Sequence, residues 1–361
     1  MIKVLVVEDS AVVREFLVHL LSSDPQIRVI GTAHDGEDAL EALKASRPDV
    51  ITMDIYMPKM NGFEATRTIM ETFPAPIVIV TGTDPREVGT TFRALQAGAL
   101  AVVPRPQGLG HPEFETTAKE LIETVKLMSE VKVVRRWKRA QSAPPRLPTQ
   151  KIQAKGDRRQ IRIVAIGAST GGPAALQTIL SRLPRDFPVP VLIVQHITPG
   201  FTSGLVDWLN QTSALPIHLA NNGETLVPGH AYVAPQGFQM GVKIRDRITL
   251  GPESPEHGLR PSVSFLFRSL ANLYGETAVG VLLTGMGRDG ADELKLMRER
   301  GAVTLAQDKE SSVVHGMPAE AIKLGAATYV LSPGWIATAL QSLVSKQSAN
   351  KVRSMTGEAR N

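Results

Sequence analysis

Short apolar runs, each followed by a stretch of helical amphipathic length, recur from the first residue and constrain the fold of this sequence more than any other feature. In the first third the runs are Ile2–Val7, Ile27–Ala33, Val50–Met53 and Ile77–Val80, and the stretches after them are Ala11–Ser22, Glu37–Ser46, Gly62–Thr72 and Glu87–Ala97. A last short run, Ala101–Val103, precedes a helix near Phe114–Glu130. Runs this short and this apolar read as strands buried on both faces, and an intervening helix makes successive strands parallel. The same pattern resumes after residue 160, with strands at Ile161–Ile166, Val191–Val194 and Thr277–Leu283 and a helix at Ala174–Leu183. The chain is therefore expected to be α/β, with two doubly wound parallel sheets. Its 361 residues exceed one ordinary core. The expected division is a first domain over 1–125, a linker over 126–160, a second domain over 161–345 and a disordered polar tail over 346–361.

A net charge of +5 invites a nucleic-acid reading, but its distribution argues against one. From Lys132 to Arg162 there are eleven Lys or Arg and a single acid, Asp157, so the rest of the chain is net acidic. That segment also holds Pro144, Pro145 and Pro148 and lacks apolar periodicity, as an extended tether does. No nucleic-acid partner is expected. The absence of cysteine excludes disulfides, thiolate metal sites and a cysteine nucleophile. No apolar stretch approaches the ~20 residues that span a bilayer, and the opening run is too short for a secretory signal. A monomeric cytoplasmic protein with no membrane insertion is expected.

In doubly wound sheets ligands bind at the carboxyl ends of the strands. The first strand ends at Glu8 and Asp9, the third at Asp54 and the fourth at Thr81. Three acids gathered there repel one another unless something binds them, and a hard oxygen-seeking ion such as Mg²⁺ offsets that repulsion. The competing reading is local: Asp9 or Ser10 caps the first helix and Asp54 merely closes a strand.

In the second half, Gly167-Ala-Ser-Thr-Gly-Gly-Pro173 joins a strand to a helix and fits G-x-S-x-G in the context a nucleophile elbow requires. The next strand ends in Gln195-His196, and a later one runs into Thr284-Gly-Met-Gly-Arg-Asp-Gly290. A serine needs a base to take its proton and a carboxylate to hold that base, roles that Ser169, His196 and Asp289 supply in an order foreign to the familiar hydrolases. A plain tight turn at Ser169, a core histidine at 196 and a turn-forming Asp289 are the alternatives. His230, His257 and His315 compete for the base, but none closes an apolar strand.

The first group of residues, with Met53 through Gly62 and Gly98-Ala99 leading to Arg105-Pro106, resembles a response-regulator receiver over residues 1–125. The resemblance implies a flavodoxin-like fold, Asp54 as acceptor of a phosphoryl group from a chemotaxis histidine kinase, Mg²⁺ held by Glu8, Asp9 and Asp54, and phosphoryl contacts from Thr81 and Arg105. Receivers carry lysine where Arg105 stands and often an aromatic where Val102 stands, so altered switching is expected. Ile166 through Pro173, Val194-Gln-His196 with Pro199-Gly-Phe201, Pro228-Gly229 through Ala234-Pro235, Arg260-Pro-Ser262, Leu283 through Gly290, Ala306-Gln-Asp308 and Gly316-Met-Pro318 resemble the catalytic domain of chemotaxis protein-glutamate methylesterases, the CheB family. That resemblance implies a Rossmann-like serine hydrolase domain with Ser169 as nucleophile, His196 as general base and acid, Asp289 as its orienter, and Thr170 with the Met286 amide at the oxyanion. Its substrates would be glutamate methyl esters, and some glutamines, on methyl-accepting chemotaxis receptors, with no cofactor in this domain. His315 stands where the family varies and receives no role. A non-catalytic output module is the reading from another class.

Overall fold

The computed structural model describes residues 1–82, 88–108, 110–131, 133, 160–197, 200–243 and 246–344. The chain divides into two compact units, one on either side of Pro145. Most of the expected linker and all of the expected tail lie outside the described residues, so neither reading meets the structure.

The first unit runs β1 (Ile2–Val7), α1 (Ala11–Ser22), β2 (Ile27–Ala33), α2 (Gly36–Ala45), β3 (Val50–Met53), α3 (Gly62–Thr72), β4 (Ile77–Thr81), α4 (Val88–Ala97), β5 (Ala101–Pro104) and α5 (Phe114–Ser129). Its strands lie in the order β2-β1-β3-β4-β5, all parallel. Every residue of β3 and β4 is buried, which is why these runs show no polar alternation. Ser10 caps α1, its hydroxyl accepting from the Val13 amide, while Asn61 caps α3 by accepting from Phe63 and Glu64. α5 continues past residue 125 to Ser129 because Val125 and Met128 are both buried.

The second unit contains β6 (Ile163–Ala168), α6 (Gly172–Leu180), β7 (Val191–Gln195), α7 (Thr202–Asn210), β8 (Ile217–Leu219), β9 (Ala231–Val233), β10 (Gln239–Lys243), β11 (Arg247–Gly251), α8 (Val263–Leu273), β12 (Ala278–Leu282), α9 (Ala291–Glu299), β13 (Val303–Gln307), α10 (Met317–Lys323) and β14 (Tyr329–Leu331). A further helix, α11, covers 333–344. Seven of these strands form one parallel sheet in the order β14-β13-β12-β6-β7-β9-β8. The chain leaves β6 toward β7 and later returns to β12 on the other side, so the strand order reverses at β6. Sheets of this kind take ligands at such a reversal, here the carboxyl ends of β6 and β12. β10 and β11 pair separately as an antiparallel hairpin that the sequence reading did not anticipate. α6 starts two residues before the expected Ala174, because Gly171 at φ 77° turns the chain and Pro173 occupies the first helical turn. Among the described residues no helix is long and apolar enough to cross a membrane.

Candidate active site and acidic pocket

In the first unit, carboxylate oxygens of Glu8, Asp9 and Asp54 all lie within 4.8 Å of one another at the ends of β1 and β3. Ser10 makes the helix cap, which leaves Asp9 exposed and available to the pocket. Glu8 is 1% exposed, and its Oε2 is buried without a partner among the described residues. Burial pushes the Glu8 carboxyl up to about 7, with the Asp54 charge adding to the rise. Burial also raises Asp54, against the opposing effect of the Ile55 amide and the Arg105 charge. An orphaned buried oxygen among three acids is the donor set of a hard divalent cation. Thr81, buried at the end of β4, accepts at its carbonyl from the Arg105 amide at 2.7 Å. The Arg105 guanidinium packs against Gly82 and lies close enough to depress both Glu8 and Asp54. All five expected residues are thus gathered at one end of the sheet.

In the second unit, β6 and β7 run in register with Ala168 beside Gln195, and the His196 amide donates to the Ala168 carbonyl at 2.9 Å. Ser169 and His196 therefore leave neighbouring strands side by side. On the other flank of β6, the Ser169 amide donates to the Thr284 carbonyl at 3.0 Å, fastening the serine turn to the segment after β12. That segment must have glycine at 285: a Cβ there would stand 2.6 Å from the Ser169 Cβ and 2.4 Å from the Met317 sulfur. Thr170 and Gly171 lie just ahead of α6, with their amides at the positive end of the helix. Met286 follows Gly285 with its side chain 47% exposed.

Asp289 reaches back to the start of α8 and is 4% exposed. Its Oδ1 accepts from Ser262 Oγ at 2.9 Å and the Ser264 amide at 3.0 Å, and its Oδ2 accepts from the Val263 amide at 2.7 Å. His196 Nε2 stands 2.9 Å from Oδ2. The ring N–H is not aligned on that oxygen as a hydrogen bond, so distance rather than angle defines this contact. Burial alone would raise the Asp289 carboxyl, but the His196 contact, Ser264 and Val263 outweigh it and hold the group down at about 2. The carboxylate is thus fixed as an anion facing the histidine.

The competing histidines lie elsewhere or do other things. His230 stacks near Tyr232 and meets His218 edge-on. His257 occupies a turn at φ 52°. His315 sits closer, since its backbone bridges Gly285 and its Nδ1 lies 3.2 Å from Ser312 Oγ.

Several residues that shape the site had no assigned part in the sequence reading. Thr284 Oγ1 donates to the Thr170 carbonyl at 2.9 Å, Gln307 Oε1 accepts from the Thr284 amide at 2.8 Å, and Gln239 Oε1 accepts from the Ser262 amide at 2.8 Å. Gln195 Nε2 donates to the carbonyls of Ser169 and His196. Thr284, Gln307 and Gln195 share the signal that singled out His196, a polar residue closing an apolar strand at its carboxyl end.

The two units define a class: a parallel-sheet domain with three clustered carboxylates at its strand ends, joined to a parallel-sheet domain with a serine, a histidine and an anchored aspartate at its switch point. The family model for the response regulator receiver domain matches residues 4–111, and that for CheB methylesterase matches residues 164–340. A protein-glutamate methylesterase/protein-glutamine glutaminase of Nitrosospira multiformis is 62% identical over 353 residues, spanning 98% of this chain and 99% of that protein. A similarly named protein of Geobacter metallireducens is 60% identical over 345 residues, spanning 95% of this chain and 99% of that protein. The crystal structure of the Thermotoga maritima CheB methylesterase catalytic domain, 39% identical, covers 51% of this chain and 100% of that one with a TM-score of 0.50. This chain belongs to the CheB methylesterase family and carries a response-regulator receiver domain.

Proposed function

We propose that this protein hydrolyses glutamate methyl esters on methyl-accepting chemotaxis receptors in the cytoplasm through an acyl-enzyme on Ser169, under the control of phosphorylation at Asp54. The observation that carries the reading is a half-buried His196 facing the buried Asp289 at 2.9 Å, beside the serine turn at the strand-order reversal. Ser169 Oγ attacks the ester carbonyl while His196 takes its proton. With Nε2 on Asp289, Nδ1 is the ring nitrogen left for that transfer. The imidazolium so formed is stabilised by an aspartate already held ionised by three donors at the start of α8. Amides at Thr170 and Met286 receive the oxyanion, methanol leaves with the proton from His196, and water releases glutamate by the reverse sequence. Glutamine deamidation follows the same steps with ammonia as the leaving group. A non-catalytic output module accounts for a carboxylate capping α8, but not for a histidine set 2.9 Å from it beside the serine turn.

In the receiver, Glu8, Asp9 and Asp54 would hold Mg²⁺, which neutralises the acids and draws charge from an incoming phosphoryl group. Asp54 is the phosphoacceptor toward a chemotaxis histidine kinase, with Thr81 and Arg105 placed to contact the phosphoryl oxygens. The test is methanol release from methyl-labelled receptor. Ser169→Ala, His196→Ala and Asp289→Ala should each remain folded and lose roughly 10⁴-fold or more in rate. Near-normal turnover in any of them removes that residue from the mechanism.

A further inference from the structure

The side chain of Gln195 is 2% exposed, and its amide nitrogen makes two hydrogen bonds, to the Ser169 carbonyl at 2.8 Å and the His196 carbonyl at 2.7 Å. Two carbonyls can only accept, so the group reaching them must be the NH₂, and its two hydrogens match the two acceptors. The His196 amide makes the last bond of the β6–β7 ladder, to Ala168; beyond it the strands part toward their separate loops. Gln195 carries the pairing one residue further, across the gap between the serine turn and the histidine. Space for it is made by Gly172, where a Cβ would stand 2.1 Å from Gln195 Oε1. Gly172 also donates its amide to the Ser169 carbonyl at 2.8 Å, so the turn and the glutamine share one acceptor. The Oε1 atom is buried without a partner among the described residues, a cost that a core-filling side chain would not carry.

We infer that Gln195 is a positioning residue that sets the spacing between the nucleophile and its base, an inference that rests on the hydrolase reading above. It touches no reacting atom. Its effect is on how often Ser169 Oγ and His196 meet in a productive geometry, so it belongs to turnover rather than to receptor binding. A misplacement of about 1 Å between reacting groups can lower a rate by ~10².

Three variants of the full-length protein test this. Gln195→Met keeps length without donors, Gln195→Glu opposes a carboxylate to two carbonyls, and Gln195→Asn keeps the amide but is one methylene short. Each folded variant should lose about 10²-fold in kcat for methanol release with KM within threefold of wild type. Reaction of Ser169 with a fluorophosphonate should slow in parallel, since it needs the serine–histidine geometry but not the receptor. For Gln195→Glu the ratio of variant to wild-type kcat should fall as pH rises, because only the protonated carboxyl can donate to one carbonyl. Folding is checked by circular dichroism; if the Met and Glu variants unfold, the Asn variant carries the comparison. A folded variant with kcat within threefold of wild type, or a rise in KM alone, overturns the inference. Wild-type protein releasing no methanol above the Ser169→Ala control fails the hydrolase reading instead, and the two outcomes are distinct.

Discussion

Glu8 and Asp289 are both buried carboxylates, and their surroundings drive them in opposite directions. Asp289 is held at about 2, below its ordinary 3.8, so its contribution to stability, about 2 kcal/mol, is present above pH ~3.8 and lost as pH falls through 2. Glu8 is raised from 4.5 to about 7, so the sign is reversed: ionising it disfavours the folded receiver above pH ~7, and that penalty is relieved as pH falls toward 4.5. A group settled as an anion suits a permanent partner such as His196, whereas a group that resists ionisation awaits a cation. Binding of Mg²⁺ to Glu8, Asp9 and Asp54 must expel the Glu8 proton below pH 7. If Glu8 is a ligand, calorimetric titrations should show affinity about twofold weaker at pH 7 than at pH 8, and roughly tenfold weaker at pH 6 than at pH 8. A pH-independent affinity would mean that Glu8 is not a ligand.

The elements show why one partner of the site was hidden. α8 presents its first amides to Asp289, with Ser262 as both the helix cap, accepting from the Phe265 amide, and a donor to Asp289 Oδ1. Replacing Ser262 with Ala removes the cap and one of the carboxylate's donors together. The expected cost is about 1–2 kcal/mol in urea denaturation, with a milder loss of turnover than Asp289→Ala. Turnover unchanged in a destabilised Ser262→Ala protein would leave the serine a purely structural cap. Ser169, His196 and Asp289 were legible because each follows an apolar run that reads as a strand, and strand ends are where a doubly wound sheet places its chemistry. The acids at Glu8, Asp9 and Asp54 were legible for the same reason. Ser262 follows no such run; it reaches the site through the approach of α8 to the loop after β12, a tertiary contact that no local pattern encodes. Gln195 was visible as a residue but not as a bridge, since its two acceptors depend on which strand lies beside β7 and in what register. The β10–β11 hairpin is legible in principle, since Met240 and Val242, then Ile248 and Leu250, alternate with polar residues or glycine as strands do, yet the expected elements omitted it.

At the scale of the whole molecule, both units use the same rule, a parallel sheet with its chemistry at the carboxyl ends, and the phosphoacceptor pocket has to govern a hydrolase built on a separate sheet. Asp54→Asn should abolish acid-labile phosphorylation and leave methanol release at its basal rate. A fragment beginning at Arg158, comparable in extent to the crystallised catalytic domain it resembles, should work without phosphate if the receiver restrains the hydrolase. Equal rates from the fragment and the unphosphorylated full-length protein would contradict restraint. Arg105 gives the sharper test of how the signal is passed on. Its backbone is tied to Thr81 and its guanidinium lies near Glu8 and Asp54, as the proposed phosphoryl contact requires. A planar forked guanidinium holds oxygens bidentately, whereas an ammonium makes one compact contact, so exchanging them would alter the proposed phosphoryl contact. Val102, half-buried on the same strand, is a small aliphatic residue with no large ring to rearrange. Arg105→Lys should therefore leave phosphorylation intact but change the ratio of phosphorylated to unphosphorylated methanol release by roughly fivefold, about 1 kcal/mol, the lower end of coupling between sites. Identical ratios in wild type and Arg105→Lys would show that the arginine carries charge to the pocket and nothing more.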